Sequence, residues 1–157
     1  MLTLGKFALL SLIYLTVALA TLAITALIRL LATLHTDDGE VAVTGLDAGT
    51  ASDLPYDEPR LRAESGLLDG VSLIGRGPLL DRIWAKPSIT TIGIDAPSVA
   101  TASNTLVPSA SAKISMRLAP SQDPDAAYGA LRAHLESRVP WGAQVEIHLD
   151  DKGEGFA

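Results

Sequence analysis

Arg117 and Asn104 are the residues whose types and spacing invite chemistry. Arg117 closes a stretch in which Ala110, Ala112, Ile114, Met116 and Leu118 alternate with Ser111, Lys113, Ser115 and Arg117. A period of two describes a half-buried strand, so the arginine belongs to the solvated face. There its planar fork is free to hold a carboxylate or an oxyanion. A lone arginine on a strand is also an ordinary surface charge. Asn104 stands thirteen residues earlier, in a connection of fourteen residues from Ala96 to Ser109 between two strand-like segments. Hairpin connections usually take two to five residues, and long ordered ones are usually functional.

The remaining candidates read more simply. His35, His134 and His148 lack the tightly spaced pairs and carboxylates of a zinc site and are expected to be solvated polar residues. No nucleophile-elbow pattern occurs, which leaves no defensible Ser-His-Asp arrangement. Gly75-Arg76-Gly77 follows no strand and precedes no lysine, so it reads as a turn rather than a phosphate loop. Asp150, Asp151 and Glu154 lack calcium-loop spacing and form a solvated tail. Trp84 and Trp141 are expected in the core or an interface.

The elements that must position Arg117 and Asn104 follow from periodicity. Thr25 to Leu34 carries Leu27, Leu30, Leu31 and Leu34 at helical spacing and stops at Asp37-Asp38-Gly39. An extended piece, "EVAVTGL", follows, then a loop over residues 47–56 and a helix opening at Asp57-Glu58-Pro59 with Leu61 and Leu68 on one side. Pro78 starts a short helix through Trp84 that Lys86-Pro87 stops. Ser88 to Asp95 and Ala110 to Leu118 are strands; Asp123-Pro124-Asp125 caps a helix with Ala127, Leu131, Leu135 and Val139 inward. Ala143 to Leu149 alternates again and predicts a last strand. The order α, β, β, α, β implies an α+β fold, an antiparallel sheet with helices on one face. It lacks one leading strand of the split βαβ arrangement, and the middle of such a sheet stays open unless another segment or chain covers it.

Composition bounds the function. Of 157 residues, 12 are Lys or Arg and 18 Asp or Glu, and after Thr36 ten basic residues face eighteen acidic ones. An acidic body without a basic stripe argues against nucleic acid as a partner. With no cysteine there is neither a disulfide nor a thiolate metal site. Between Lys6 and Arg29 lie 22 uncharged residues, about the length of a membrane-crossing helix. The run also resembles an export signal ending at Ala18-Leu19-Ala20, and its far end reads as an amphipathic domain helix. We expect residues 1–24 to be an apolar helix, anchor-like or signal-like, and residues 25–157 to be the folded domain with an inserted loop-helix region at 47–87. The location is then the membrane if the apolar segment acts as an anchor, and the cytoplasm otherwise.

Four segments, "LLDRIWAKPSITTIGIDAP", "ASNTLVPSASAKISMRLAP", "DPDAAYGALRAHL" and "PWGAQVEI", are similar in order and spacing to the dimerisation or lid domain of the zinc-dependent peptidases that include carnosinase, carboxypeptidase G and aminoacylase. The bacterial dipeptidases of that group match best, and "ALIRLLATLHTDDGEVAVTGLD" resembles the lid helix and its exit, so the likeness covers roughly residues 25–157. The resemblance implies a ferredoxin-like lid domain that dimerises. It also implies that Asn104 and Arg117 are the loop amide and the arginine that grip a peptide's carboxylate or developing oxyanion, often across the dimer. The family's zinc is held by His-x-Asp and Glu-Glu segments of a separate catalytic domain, and nothing in this sequence corresponds to them. The family's lid also carries a histidine on its first strand, where this chain has the apolar run.

The expectation is therefore a lid portion, a fragment, of a dipeptidase-type metallopeptidase. It binds no cofactor itself, is inactive alone, and partners with a second copy or a catalytic peptidase domain. The competing expectation is a membrane-tethered self-association module without chemistry.

Overall fold

The first helix of the computed structural model, α1, runs Ala23–Ala32, and the structure describes residues 22–51 and 54–152. The apolar N-terminal helix expected over residues 1–24 lies almost wholly outside the described residues. The described end of the apolar run belongs to the domain: Ala26 and Leu30 of α1 are buried. No helix among the described residues is long and apolar enough to cross a membrane.

α1 forms because Ala26, Leu30 and Leu34 recur every four residues and line one face. Arg29 sits in its last turn, where a cation suits the negative end of the helix dipole. Thr33 ends the helix, its hydroxyl donating to the Leu30 carbonyl at 2.7 Å. The chain then reverses through Thr36–Glu40 and returns beside itself, with Ala42 N–H donating to Leu34 O at 2.8 Å and an isolated bridge pairing His35 with Val41. Gly39 is required in that turn. Its φ is +82°, and a Cβ there would lie 2.6 Å from Ile74 Cβ.

The inserted region holds a second helix, α2, Glu58–Ser65. Asp57 caps it by accepting from Arg60 N–H at 3.0 Å, Pro59 occupies its first turn, and Gly66 ends it in the left-handed conformation. None of its residues is buried, and Leu68, expected alongside Leu61, lies beyond the helix and is exposed. What fixes the region is its far end. Leu79 and Leu80 lead into a π-helical turn, Asp81–Ala85, that buries Leu80 and Ala85. Asp81 accepts from Ala51 N–H at 2.7 Å and Ala85 O from Gly49 N–H at 2.9 Å. Lys86, ahead of Pro87, is extended, and the first strand begins.

Strands β1, Ser88–Asp95, and β2, Ser111–Arg117, pair antiparallel, with Ser88 opposite Arg117 and Asp95 opposite Ser111. A bulge at Ile92 shifts the register between Thr91 and Gly93. The extra residue returns Ile94 to the face of Ile89, opposite Ala112. Helix α3, Pro124–Ser137, starts on the Asp123 cap, which accepts from Ala126 N–H at 2.7 Å. Its inward residues are Ala127, Leu131, His134 and Leu135. Leu30, Leu34, Val43, Ile89, Leu131 and Leu135 make the core, with Ile114 and Met116 against it. Both α1 and α3 thus cover one face of the sheet, as expected.

Three expectations are corrected. Ala143 to Leu149 is extended but forms no strand among the described residues, although Ile147 still packs on the core. A strand exists only in a ladder, and among the described residues the sheet contains β1 and β2 alone. His134, expected to be solvated, is 5% exposed and faces α1. His35 is half-buried, its Nε2 donating to Ile89 O at 3.0 Å; only His148 is exposed as expected. Trp84 and Trp141 are 57% and 61% exposed, which removes the core half of that expectation and leaves the interface half.

The reversal at Gly39 yields a test. Gly39→Ala should destabilise the fold by about 1–2 kcal/mol from the left-handed backbone alone, with more from the clash. Urea titration should then show Gly39→Ala costing less when Ile74→Gly, which removes the clashing Cβ, is also present.

Candidate functional site

Arg117 is placed by the alternation of β2. Met116 turns in against the core cluster, so the next side chain must turn out. Immediately after it the chain is pinned: Leu118 is half-buried, Ala119 is 1% exposed, and Gln122 N–H donates to Ala119 O at 3.0 Å. Gln122 is itself buried and accepts from Asp47 N–H. The backbone under Arg117 is therefore held on both sides while its guanidinium stands in water.

The other cations show what is unusual here. Arg60, Arg62, Arg76, Lys86, Lys113, Arg132 and Lys152 each pair with a carboxylate. Arg29 lies 5.3 Å from the centre of the Trp141 ring, Arg82 donates to the carbonyls of Ile74 and Gly75, and Arg138 donates to Ser137. Lys6 lies outside the described residues. Among the described lysines and arginines, Arg117 alone has no hydrogen bond, ion pair or aromatic partner. An acidic chain offers many carboxylates, yet none among the described residues reaches this one.

Around Arg117 the wet face is polar. Ser88, Thr90, Gly93 and Asp95 of β1 oppose Arg117, Ser115, Lys113 and Ser111 of β2. Lys113 pairs with Asp150, which raises the lysine's pKa and holds the Asp150 carboxyl below the usual range. Asp95 accepts from the Ser111 hydroxyl at 3.2 Å. Farther away, the Thr36 hydroxyl and then Arg76 lower the pKa of Asp38, while Lys86 and then the Arg76 N–H lower that of Glu40. Those pairs clasp the inserted region to the turn after α1 and leave Arg117 out.

Asn104 lies in the connection over residues 96–110 and is exposed. A short 3-10 turn, Val99–Thr101, precedes it, with Ser98 accepting from Ala100 N–H at 3.3 Å. Ser103 accepts from Thr105 N–H at 3.2 Å, so local side-chain bonds shape the backbone on either side of the asparagine. No hydrogen bond joins Asn104 to Arg117 among the described residues. Arg117 occupies the base of the ladder, opposite Ser88, and the Asn104 connection springs from its other end, about 20 Å away at strand rise. Asp150 of the tail is engaged by Lys113, and among the described residues no three His, Asp or Glu side chains gather closely enough to hold a metal ion. The described residues do not fit zinc, and no step is derived through one.

A two-stranded antiparallel sheet packed against α1 and α3, with Arg117 at its base, is the frame that the described residues build. Residues 19–143 match the peptidase dimerisation domain of the M20 peptidases, and the chain belongs to that family. It is 32% identical over 136 residues to a cysteinylglycine-S-conjugate dipeptidase of Corynebacterium striatum, covering 84% of this chain and 30% of that one. Its fold is similar to that of the di-peptidase Dug1p of Saccharomyces cerevisiae, with a TM-score of 0.55 and 19% identity over 74% of this chain and 26% of that one. It is also similar to an M20 family metallo-carboxypeptidase of Sulfolobus solfataricus, with a TM-score of 0.54 and 22% identity over 73% and 32% of the two chains. The chain spans about a third or less of the length of these relatives.

Because Arg117 has no hydrogen bond, ion pair or aromatic partner among the described residues, Arg117→Ala should change folding stability by less than about 0.5 kcal/mol. Denaturant midpoints of the two proteins should coincide, while a clear loss would mean that the guanidinium serves the fold.

Proposed function

We propose that this chain is the dimerisation and lid portion of a dipeptidase-type metallopeptidase, in which Arg117 binds the substrate's carboxylate or the oxyanion that develops from its scissile carbonyl. Asn104 supplies a second donor. The observation that carries the reading is the unpartnered guanidinium on a rigid strand end. A side chain already ion-paired would have to break that pair before gripping an anion, whereas Arg117 has nothing to give up. Preorganised donors of this kind stabilise negative charge without reorganising during the reaction.

The separation of Arg117 from the root of the Asn104 connection supports an arrangement in which the two residues serving one substrate come from two protomers. A dimer with twofold symmetry then holds two such composite sites, each taking the arginine of one copy and the asparagine of the other. Water activation belongs to polypeptide bearing the metal ligands. The fuller ferredoxin-like sheet also belongs to this reading, with Ala143–Leu149 as its last strand.

The test uses glycylglycine and its C-terminal amide as probes, with a dimeric preparation verified by sedimentation. Arg117→Ala should weaken binding of the free dipeptide by tenfold or more and leave the amide's weaker binding unchanged. Equal affinity of wild type and variant for the dipeptide would refute the clamp. Mixing Arg117→Ala with Asn104→Ala chains separates the two-protomer arrangement from a one-chain site. Random pairing should restore about a quarter of the wild-type sites in the first case and none in the second.

A further inference from the structure

His134 is a buried titratable group that the proposed function does not use. It sits in the last turn of α3 and is 5% exposed. Its Nε2 lies 2.9 Å from Thr33 O and 3.2 Å from Thr33 Oγ1, at the point where α1 ends. A carbonyl oxygen can only accept, so Nε2 carries the proton and donates. The Thr33 hydroxyl spends its own proton on Leu30 O at 2.7 Å, leaving its lone pairs to receive the same imidazole N–H. The tautomer is thereby fixed by two partners from one residue, and Nδ1 is the bare nitrogen. It has no hydrogen-bond partner among the described residues.

The contact joins the two helices that roof the sheet. Leu131 and Leu135, which flank His134 on α3, pack with Leu30 and Leu34 of α1 in the core. From the same helix exit, His35 reaches Ile89 O at the root of β1. A loosened α1 exit would therefore be felt at the base of the hairpin, where Ser88 faces Arg117.

We infer that His134 is an acid-sensitive pin between α1 and α3: the neutral imidazole suits its buried seat, and a second proton at Nδ1 places there a charge that the fold solvates poorly, while the Nε2–H bond to Thr33 O persists. The groups that face it all disfavour or fail to help the charged form, with one exception. Burial is the largest influence and lowers the pKa, and the Arg138 guanidinium one turn on lowers it further; the Thr33 carbonyl alone works the other way. From α1 the contact is the uncharged Thr33, and the turn after α3, Pro140–Gly142, contains no titratable group. The nearest acid on the helix, Glu136, is committed to Arg132 at 2.7 Å. No carboxylate is paired with the imidazole among the described residues.

The direction of the pH effect follows from linkage. An unfolded histidine takes up its proton near pH 6.5, while the folded one resists until a lower pH. Between those points the unfolded state binds more protons, so folding stability is full above about 6.5, falls as pH falls, and levels off below the folded pKa. One proton lowers the folding constant by at most about tenfold per pH unit in that window.

The experiment is a set of denaturant titrations of the full chain from pH 7.5 to 5.0, for the native protein and for His134→Gln, whose amide can still donate to Thr33 O. The native protein should lose folding stability across the window, and the variant should lose measurably less, the difference being the contribution of this imidazole. Imidazole NMR provides the second readout and needs no variant. With only three histidines, the His134 resonance can be assigned, and it should titrate below 6.5. Identical pH dependence in the two proteins, or a His134 resonance that titrates at or above 6.5, would overturn the pin. If His134→Gln does not fold, the titration of the native resonance decides alone.

Discussion

Leu34, 1% exposed, lies where α1 gives way to the reversing chain, and the packing around it fixes everything that matters for the site. Against it come Ile89 from β1, Leu131 and Leu135 from α3, and Val43 from the returning segment. Four separate stretches of sequence are brought together by one buried cluster. Its consequence for chemistry is indirect but strict. Once Met116 and Ile114 of β2 are drawn to this core, the pleat dictates that Arg117, Ser115 and Lys113 face water. A one-residue slip would bury the guanidinium and expose the methionine, at a cost no surface contact could offset.

Electrostatics then sorts the wet face. The chain is acidic, and most of its cations are drawn into pairs with nearby carboxylates, several at helix spacing along α2 and α3. Exposed pairs of this sort add little stability. Their effect here is to occupy charge. Lys113, two residues along the same face from Arg117 in the alternation, is taken by Asp150 and is no longer available to an anion. Clasping pairs at Asp38–Arg76 and Glu40–Lys86 do the same for the inserted region. Among the described lysines and arginines, what remains without a partner is the Arg117 guanidinium, at a strand end followed by the buried Ala119.

Much of this was legible in the sequence because period-two and period-3.6 patterns are local. The alternation from Ala110 to Leu118 announced β2 and the outward Arg117, and the Asp123-Pro124 start announced α3. The histidines were not legible. His134 occupies the same helical flank whether it meets water or Thr33, and only the partner helix, a hundred residues away in sequence, decides which. His35 is similar, because its acceptor, Ile89 O, belongs to another element. The bulge at Ile92 left no glycine or proline signature at the extra residue itself, with Gly93 beside it as the sole hint. Ala143 to Leu149 misled for the opposite reason: its alternation is real and Ile147 does turn inward, but a ladder is a property of two segments, and periodicity reports on one.

That unpaired segment also explains why self-association is physically expected of this chain. β1 is covered at Ile89 by His35, but from Thr90 onward its residues are exposed, and among the described residues no third strand joins the sheet on either side. Backbone groups along an open strand retain full capacity to pair with another chain. Ile92, Ile94, Val99 and Leu106 stand exposed around the same hairpin, and Leu68, Ile74 and Trp84 do so in the inserted region. Apolar surface of that extent is what a dimerisation domain presents to its partners, since burying it contributes about 25 cal/mol per Å². The sheet is thus complete enough to aim Arg117 and, among the described residues, open at its edges, and both properties come from a core that reaches only the base of the hairpin.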